Sequence, residues 1–431
     1  MITRILMCHV LLLGRRIRDV VLSWIYCSQQ GICLHGRYAV CYHHRCMMEF
    51  RDCSWSGTVA GPDHAAEGLS IFVNVTKRVH AGCAIITSLL IGLTFLTACK
   101  AGSAVEIVAT GLNQPRGIAF DAAGNLYVAE AGMVDLQADD RSTPIISHSS
   151  RVSRISPDGQ RTTVVDGLPF TNYRTAGDVG ASDVAMLAGG LYVLTAEGYD
   201  DELSRSVLRM TTQGQPELVA NIFHFVERTT NFDSAMGIST LATNPHSMIA
   251  APDGQGLYVT DGATGRVFHI LLDGTIRVLV ELPNKPPVTG LTFGPDGRIY
   301  FALFSTLPLS PTNGAIWAVD MNGVSAAVIP ELKLPIDVAF DREGTMFVLE
   351  FTDLLKPDEL YSSGGGRLLR IAQDGTQMVV VEQLNYPTAM TFGPAGDLYI
   401  SVNGAFGEPG EGSILKVSCR SLGGSEAACS G

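Results

Sequence analysis

Six times along this chain an alternating apolar run, a Gly-containing turn and a second alternating run recur in the same order. The first is PRGIAFDAAGNLYVAEAG (115–132). The others are DVAMLAGGLYVLTAEG (183–198), HSMIAAPDGQGLYVTDG (246–262), VTGLTFGPDGRIYFAL (288–303), PIDVAFDREGTMFVLE (335–350) and PTAMTFGPAGDLYISVNG (387–404). Alternation with a period of two is the signature of strands, and the Asp/Gly pairs between the runs supply tight turns. A second strand pair follows each of the first five copies: SRVSRISPDGQRTTVV (150–165), SVLRMTTQGQPELVA (206–220), GRVFHILLDGTIRVLV (265–280), GAIWAVDMNGVSAAVI (314–329) and GRLLRIAQDGTQMVVV (366–381). The sixth copy has only SILKVS (413–418), while VEIVATGL (105–112) stands before the first copy with the character of a spare fourth strand. A four-stranded unit cannot cover its own two faces, so such units stack around an axis and cover one another. The expected fold is all-β, a six-bladed β-propeller over about 105–418, with residues 105–110 completing the last blade and closing the ring. A β-sandwich or β-helix would explain the alternation but not a last strand supplied from the opposite end.

The segment before the repeats has a different composition. Seven of the ten cysteines (Cys8, Cys27, Cys33, Cys41, Cys46, Cys53, Cys83) and six of the ten histidines precede residue 99. Residues 1–98 carry 9 Lys/Arg against 5 Asp/Glu, whereas residues 99–431 carry 21 against 37. At the break stands VTKRVHAGCAIITSLLIGLTFLTACK (75–100): the basic pair Lys77-Arg78, an apolar stretch from Ala81 to Leu96, then Leu96-Thr97-Ala98-Cys99. A positive region, an apolar stretch short for a membrane span and small residues before a cut are the parts of a secretory signal. The Leu-x-Ala-Cys ending resembles the lipobox of bacterial lipoproteins, which implies that Cys99 is acylated and becomes the mature N-terminus; a buried apolar helix followed by a chance Cys is the alternative. A signal works only at the start of a chain, so residues 1–74 read as a gene-model extension or a disordered stretch, with translation beginning near Val75. A Cys/His metal module around CYHHRCMM (41–48) lacks the paired spacing of zinc sites. Residues 75–98 are then the signal peptide, 99–431 the mature chain and 419–431 its tail, in which a Cys419–Cys429 disulfide or two free thiols are both open.

GLNQPRGIAFDAAGNLYVAEAG followed by SRVSRISPDG resembles the first blade of the ScyD/ScyE family. These are secreted NHL-like propellers related in fold to streptogramin lyase and gluconolactonase-type enzymes. The resemblance spans about residues 105–418, and its repeat phrase specifies fold far more than activity. The family's DSNPYG approach to the third blade reads ATNPHS (242–247) here. Gluconolactonase-like enzymes place a divalent ion in the channel, and a Pro-His at this place resembles the streptogramin lyase pattern.

A propeller puts its short turns on one face and its longer connections on the other. Here the long connections are 129–150, 196–206, 302–314, 350–366 and 403–412, with 221–245 joining blades two and three and leaving room for a short helix. They contain Glu130, Asp135, Asp139, Asp140, Glu197, Asp200, Asp201, Glu202, Glu350, Asp353, Asp358, Glu359, Glu408 and Glu411 against Arg141, Arg205 and Lys356. An acidic face favours cations and disfavours nucleic acid. Channel-lining and ligand-binding candidates are Arg116, Glu130, Asp183, Asn244, Asp337 and Glu350. Asp183, Asn244 and Asp337 are the metal candidates, since oxygen ligands converging from several blades suit a divalent cation such as calcium. Each also reads as a strand cap. His246 is the acid/base candidate, because its side chain titrates near neutrality and sits where a first strand meets the channel; a hydrogen-bonded structural histidine is the alternative. No GxSxG, HExxH or P-loop occurs in the mature domain.

The functional expectation is an exported, lipid-anchored, monomeric propeller of the cell envelope, outside the cytoplasm, binding or scaffolding a small molecule or protein at its acidic channel face. The competing class is a metal-dependent lactonase-like hydrolase, or a lyase, using the same channel. Mass spectrometry of the mature protein is expected to find an acylated Cys99 as its first residue. An N-terminus upstream of residue 99, or an unmodified Cys99, would refute the anchor.

Overall fold

The computed structural model describes residues 11–13, 21–27, 33–39, 105–133, 144–173, 178–196, 198, 201–229, 243–352, 363–408 and 410–429. The chain divides into two compact units, Met1–Ile91 and Gly92–Gly431. In the first, β1 (Leu11–Leu13), β2 (Val21–Cys27) and β3 (Cys33–Ala39) pair in sequence order as an antiparallel sheet. The signal segment 75–98 and Cys99 lie outside the described residues. Among the described residues no helix is long and apolar enough to cross a membrane.

The second unit is the six-bladed propeller. Its first strand is β4 (Val105–Leu112). Blade one follows as β5 (Pro115–Phe120), β6 (Leu126–Glu130), β7 (Ile145–Ile155), β8 (Arg161–Asn172) and a two-residue β9 (Asp178–Val179). Blade two is β10 (Ala181–Leu187), β11 (Gly190–Thr195), β12 (Ser206–Met210) and β13 (Pro216–Asn221). Blade three is β14 (Pro245–Ala250), β15 (Gly256–Asp261), β16 (Arg266–Leu271) and β17 (Ile276–Glu281). Blade four is β18 (Val288–Phe293), β19 (Ile299–Leu303), β20 (Gly314–Val319) and β21 (Ser325–Leu332). Blade five is β22 (Pro335–Phe340), β23 (Met346–Glu350), β24 (Gly366–Ile371) and β25 (Gln377–Leu384). Blade six has only β26 (Ala389–Phe392), β27 (Leu398–Val402) and β28 (Gly412–Val417) from its own stretch of chain, and β4 fills its fourth place. That pairing runs antiparallel from Gly412 against Leu112 to Val417 against Val105. The ring therefore closes by backbone hydrogen bonds between the two ends of the repeat array, as the spare strand in the sequence predicts.

The Asp/Gly turns do what their residues allow. In the first, Asp121 Oδ1 accepts the amides of Ala123 and Asn125, both at 2.9 Å, while Gly124 takes the left-handed φ of +80° that a side chain would disfavour. The same device recurs at Asp341, which accepts Glu343 N at 2.9 Å and Thr345 N at 2.8 Å. Burial follows strand position: all six residues of β15 are buried, whereas the outer β17 is largely open to solvent. The apolar core is six separate clusters, each shared by neighbouring blades. Val152 and Val165 of blade one meet Val184 and Val193 of blade two, and Phe347 and Leu368 of blade five meet Met390 and Ile400 of blade six. The closing interface joins Ile414 and Leu112 to Ile118 and Val128.

Two places depart from the plain repeat. Residues 145–150, expected in a loop, are strand, because β7 and β8 run on past the blade and pair from Ser147–Phe170 to Ile145–Asn172. The connection between blades two and three opens with α1 (Ile222–Thr229), capped where Asn221 Oδ1 accepts His224 N at 2.8 Å and held by its buried Ile222 and Val226. Cys419 and Cys429 are joined by a disulfide, and the tail it closes lies against the turn of blade six, with Cys419 N donating to Asp397 Oδ1 at 2.8 Å.

Deleting residues 105–112 is expected to leave β28 as a bare edge strand and to abolish the cooperative thermal transition, with aggregates on size exclusion. Glu106→Ala, which removes only the partly exposed 2.7 Å pair with Lys416, is expected to change stability by less than about 1 kcal/mol in the same melts.

Candidate functional site

The first strand of each blade runs along the channel, and structural register aligns PRGI (115–118), ASDV (181–184), PHSM (245–248), VTGL (288–291), PIDV (335–338) and PTAM (387–390). The third residue in each is Gly117, Asp183, Ser247, Gly290, Asp337 or Ala389. This pattern makes two half-rings: Gly117–Asp183–Ser247 and Gly290–Asp337–Ala389, with the aspartates three blades, half a turn, apart. Each carboxylate spans three blades. A Cβ on Gly117 would fall 1.7 Å from Asp183 Oδ1, and one on Gly290 would fall 2.0 Å from Asp337 Oδ1, so only glycine leaves the space. Toward the following blade, Asp183 Oδ2 accepts Ser247 Oγ and Met248 N, both at 2.7 Å, and Asp337 Oδ2 accepts Met390 N at 2.7 Å. The other oxygens accept Val184 N and Val338 N at 2.8 Å.

These residues divide the channel. Toward the long connections lies a cavity of about 80 Å³ lined by Arg116, Asp178, Ser182, Asn244 and His246 above Asp183, Asp337 and Thr388. Toward the short turns lies a wider space of about 390 Å³, where Phe120, Met186, Phe340 and Phe392 form part of the wall. Asp183, Ser247, Asp337 and Ala389 border both. Burial pushes the Asp183 carboxyl up from 3.8 to about 7, against the pull of Ser247 and the two amides. Burial takes Asp337 further, to about 8, and the nearby Asp183 adds to the rise. The extra hydroxyl on Asp183, absent at Ala389, accounts for part of the difference.

In the upper cavity, Arg116 and His246 occupy the same register position on blades one and three. Arg116 Nη2 donates to the main-chain carbonyl of Asp178 at 2.8 Å. The Asp178 side chain is taken elsewhere, one oxygen by Gln114 Nε2 and the other by Asn172 Nδ2. Burial lowers the Arg116 pKa to about 10, with Asp178 opposing. His246 falls to about 3, through burial first and then the Arg116 charge, so the ring is neutral. Its Nδ1 is enclosed and has no hydrogen-bond partner among the described residues.

The remaining sequence candidates are placed differently. Glu130 is fully buried at the end of β6, accepting Asn113 N at 2.7 Å, pairing with Arg151 Nη2 at 2.7 Å and accepting Ser153 Oγ. Glu350 repeats this in blade five, where it accepts Lys333 N at 2.7 Å and pairs with Arg367. Both anchor the chain crossing into their blade and neither lines the axial cavity, because their carboxylates point back into the sheet. Asn244 lines the cavity but stands three residues ahead of the Asp183–Asp337 register, its own amide donating to Asp261 Oδ1 at 3.0 Å. Of the acidic loop residues, Asp135, Asp139, Asp140, Glu197, Asp200, Asp353, Asp358 and Glu359 lie outside the described residues.

A divalent cation fits this donor set poorly. Among the described residues no group of three or more His, Cys, Asp or Glu is placed to hold a metal ion. Both oxygens of Asp183 and of Asp337 already accept amides, and a guanidinium shares the cavity. Sequence reasoning missed Gly117, Gly290, Ser247 and Asp178. The first three were detectable by aligning the six strand starts, whereas Asp178 precedes the second repeat and carries no pattern.

No protein-family profile matches the chain, and no curated protein matches it. Solved structures to which it is similar include a gluconolactonase from Xanthomonas campestris, at 16% identity and a TM-score of 0.46, covering 72% of this chain and 88% of that one. They also include virginiamycin B lyase from Staphylococcus aureus, at 17% identity and a TM-score of 0.42, covering 72% and 87%. A third is the calcium-binding protein regucalcin from Agrobacterium tumefaciens, at 15% identity and a TM-score of 0.46, covering 72% and 92%. Likenesses this distant carry no activity over to this chain.

Asp183 and Asp337 set a pH dependence of stability. Their folded-state pKa values lie above the unfolded 3.8, so the native state holds protons that the unfolded chain has lost. Their contribution is full below about pH 4 and is lost as pH rises to about 8. Turn aspartates such as Asp374, held low by Thr376 N–H, act in the opposite sense. The difference between wild type and Asp337→Asn therefore isolates the buried group. Melts from pH 4 to 9 are expected to show wild type losing, on the order of, a few kcal/mol relative to the variant as pH rises; parallel profiles would refute the assignment.

Proposed function

We propose that this chain is an exported, lipid-anchored propeller of the ScyD/ScyE type that binds a small molecule at the channel face bearing its long connections. The observation that carries this reading is the axial cavity where Arg116, His246 and Asn244 meet, with the His246 Nδ1 enclosed and unpartnered. A buried polar atom without a partner is costly unless something else supplies the bond. About 80 Å³ receives a functional group rather than a whole metabolite, so the body of the ligand extends out of the cavity. The ring is rigid and the connections vary in length, the division of labour by which a scaffold presents a binding surface.

One observation favours a second reading. The unpartnered His246 Nδ1 and the Arg116 guanidinium line one cavity, which supports a lyase in which His246 takes a proton from an acidic C–H and Arg116 stabilises the charge that develops. Burial and the Arg116 charge weaken the free imidazole as a base, so this reading requires a bound anionic substrate to offset them. The metal-dependent lactonase has less support, since the carboxylates that would hold the ion are committed to backbone amides.

The two readings separate in one experiment on the mature chain. A metabolite panel screened by thermal shift is expected to give ligands that stabilise wild type but not Ser182→Phe, a variant that fills the cavity from its wall, and each ligand is expected back chemically unchanged by mass spectrometry. Ligands that bind Ser182→Phe equally well would sink the cavity as the site. Conversion of a ligand by wild type and not by His246→Gln would establish the lyase.

A further inference from the structure

The rim of the channel reads acidic in sequence, yet the floor of its upper cavity presents a guanidinium that no carboxylate bonds among the described residues. Each carboxylate that reaches the cavity is already occupied. Both oxygens of Asp178 hold amide N–H groups of Gln114 and Asn172, and Gln114 is itself only 3% exposed, so that arrangement is fixed by packing. Asp183 accepts Val184 N, Met248 N and Ser247 Oγ, and Asp337 accepts Val338 N and Met390 N. Burial favours their neutral forms up to about pH 7 and about pH 8. Arg116, by contrast, enters the same cavity with a main-chain carbonyl as its hydrogen-bond partner and no carboxylate bonded to it among the described residues. A guanidinium has five N–H donors and stays charged even here, so it leaves donors directed at the cavity. Beside it stands the enclosed, unpartnered Nδ1 of His246.

We infer that the axial cavity is a receptor for the carboxylate of a small organic acid, held by the Arg116 guanidinium together with His246 Nδ1–H. The inference rests on the binding function proposed above and names its ligand class. A planar carboxylate matches the fork of a guanidinium, and its two oxygens let one face Arg116 while the other accepts from imidazole. His246 remains neutral in this role and needs only the tautomer with its proton on Nδ1. The titratable and charged groups around it are Arg116 and Asp178 from blade one, Asp183 from blade two and Asp337 from blade five. The cavity has room for a group the size of acetate or formate.

The test is calorimetric titration of the mature chain with sodium acetate and with acetamide, its neutral isostere, at constant ionic strength and pH 7. Acetate is expected to bind at least ten-fold more tightly than acetamide. Arg116→Gln is expected to lose that preference and Arg116→Lys to recover part of it, with His246→Ala weakening acetate alone; matching melting temperatures certify the fold of each variant. Acetamide binding as tightly as acetate, and lost in Ser182→Phe, would overturn the acid class while leaving the cavity as a binding site. Acetate binding that survives Arg116→Gln unchanged, or that is absent while panel ligands still require an open cavity, would also overturn it. Failure of both probes together with ligands indifferent to Ser182→Phe would remove the binding function as well.

Discussion

The pairing of β4 with β28 is the constraint on which the rest of this molecule depends. Each four-stranded sheet has two apolar faces and two open edges, and neither is tolerable in water. Stacking in a ring removes the faces, since each of the six clusters is shared by adjoining blades. A ring is closed only if its last interface is as well made as the others. Borrowing Val105–Leu112 achieves this with an antiparallel pairing along the whole of β28, its register shifted at two points, and inner-strand clasps reinforce it, with Thr388 Oγ1 on Pro115 O and Ser401 Oγ on Arg116 O, both 2.7 Å. The second clasp has a chemical consequence. It fixes the backbone of Arg116, so closure also aims the cation of the axial cavity.

Inside the closed ring, Asp183 and Asp337 act as paired struts. Each nests against a glycine of the preceding blade and takes an amide of the following one, so each half-ring has its own polar brace at the axis. The braces separate a polar upper cavity from the wider lower space. They also explain how two acids coexist with a useful arginine: a carboxyl that is buried and saturated with donors does not compete for the guanidinium. The cost is a molecule whose central acids resist ionisation.

Much of the fold was legible because it rests on local rules repeated six times. Alternation gives strands, Asp-x-x-Gly gives turns, and the missing fourth strand of the sixth blade together with the spare strand before the first gives closure. What escaped was non-periodic. The continuation of β7 into residues 145–150 depends on pairing with Phe170–Asn172, which no local pattern announces. At the site, Arg116, Asp183, Asn244, His246 and Asp337 were identifiable as channel residues from where first strands begin. Glu130 and Glu350 were misleading, since a carboxylate at a strand end looks the same in sequence whether it faces a channel or an arginine on the next strand. Partnership between distant carboxylates and amides is a property of register in three dimensions, and the Gly117–Asp183–Ser247 pattern emerges only when the strand starts are aligned by that register.

The direction of β4 has a further meaning. Leu112 lies against Gly412 near the channel mouth, so Val105, paired with Val417 at the other end of the strand, sits on the short-turn side. Both ends of the repeat array leave the ring there. Were the chain moored at residue 99, that point would lie within about 20 Å of Val105, and the mooring would grip the propeller by its blind side. Whatever surface held the molecule would then see the Asp/Gly turns, and the cavity would look outward into the surrounding fluid, free to meet its ligand without the ring having to turn.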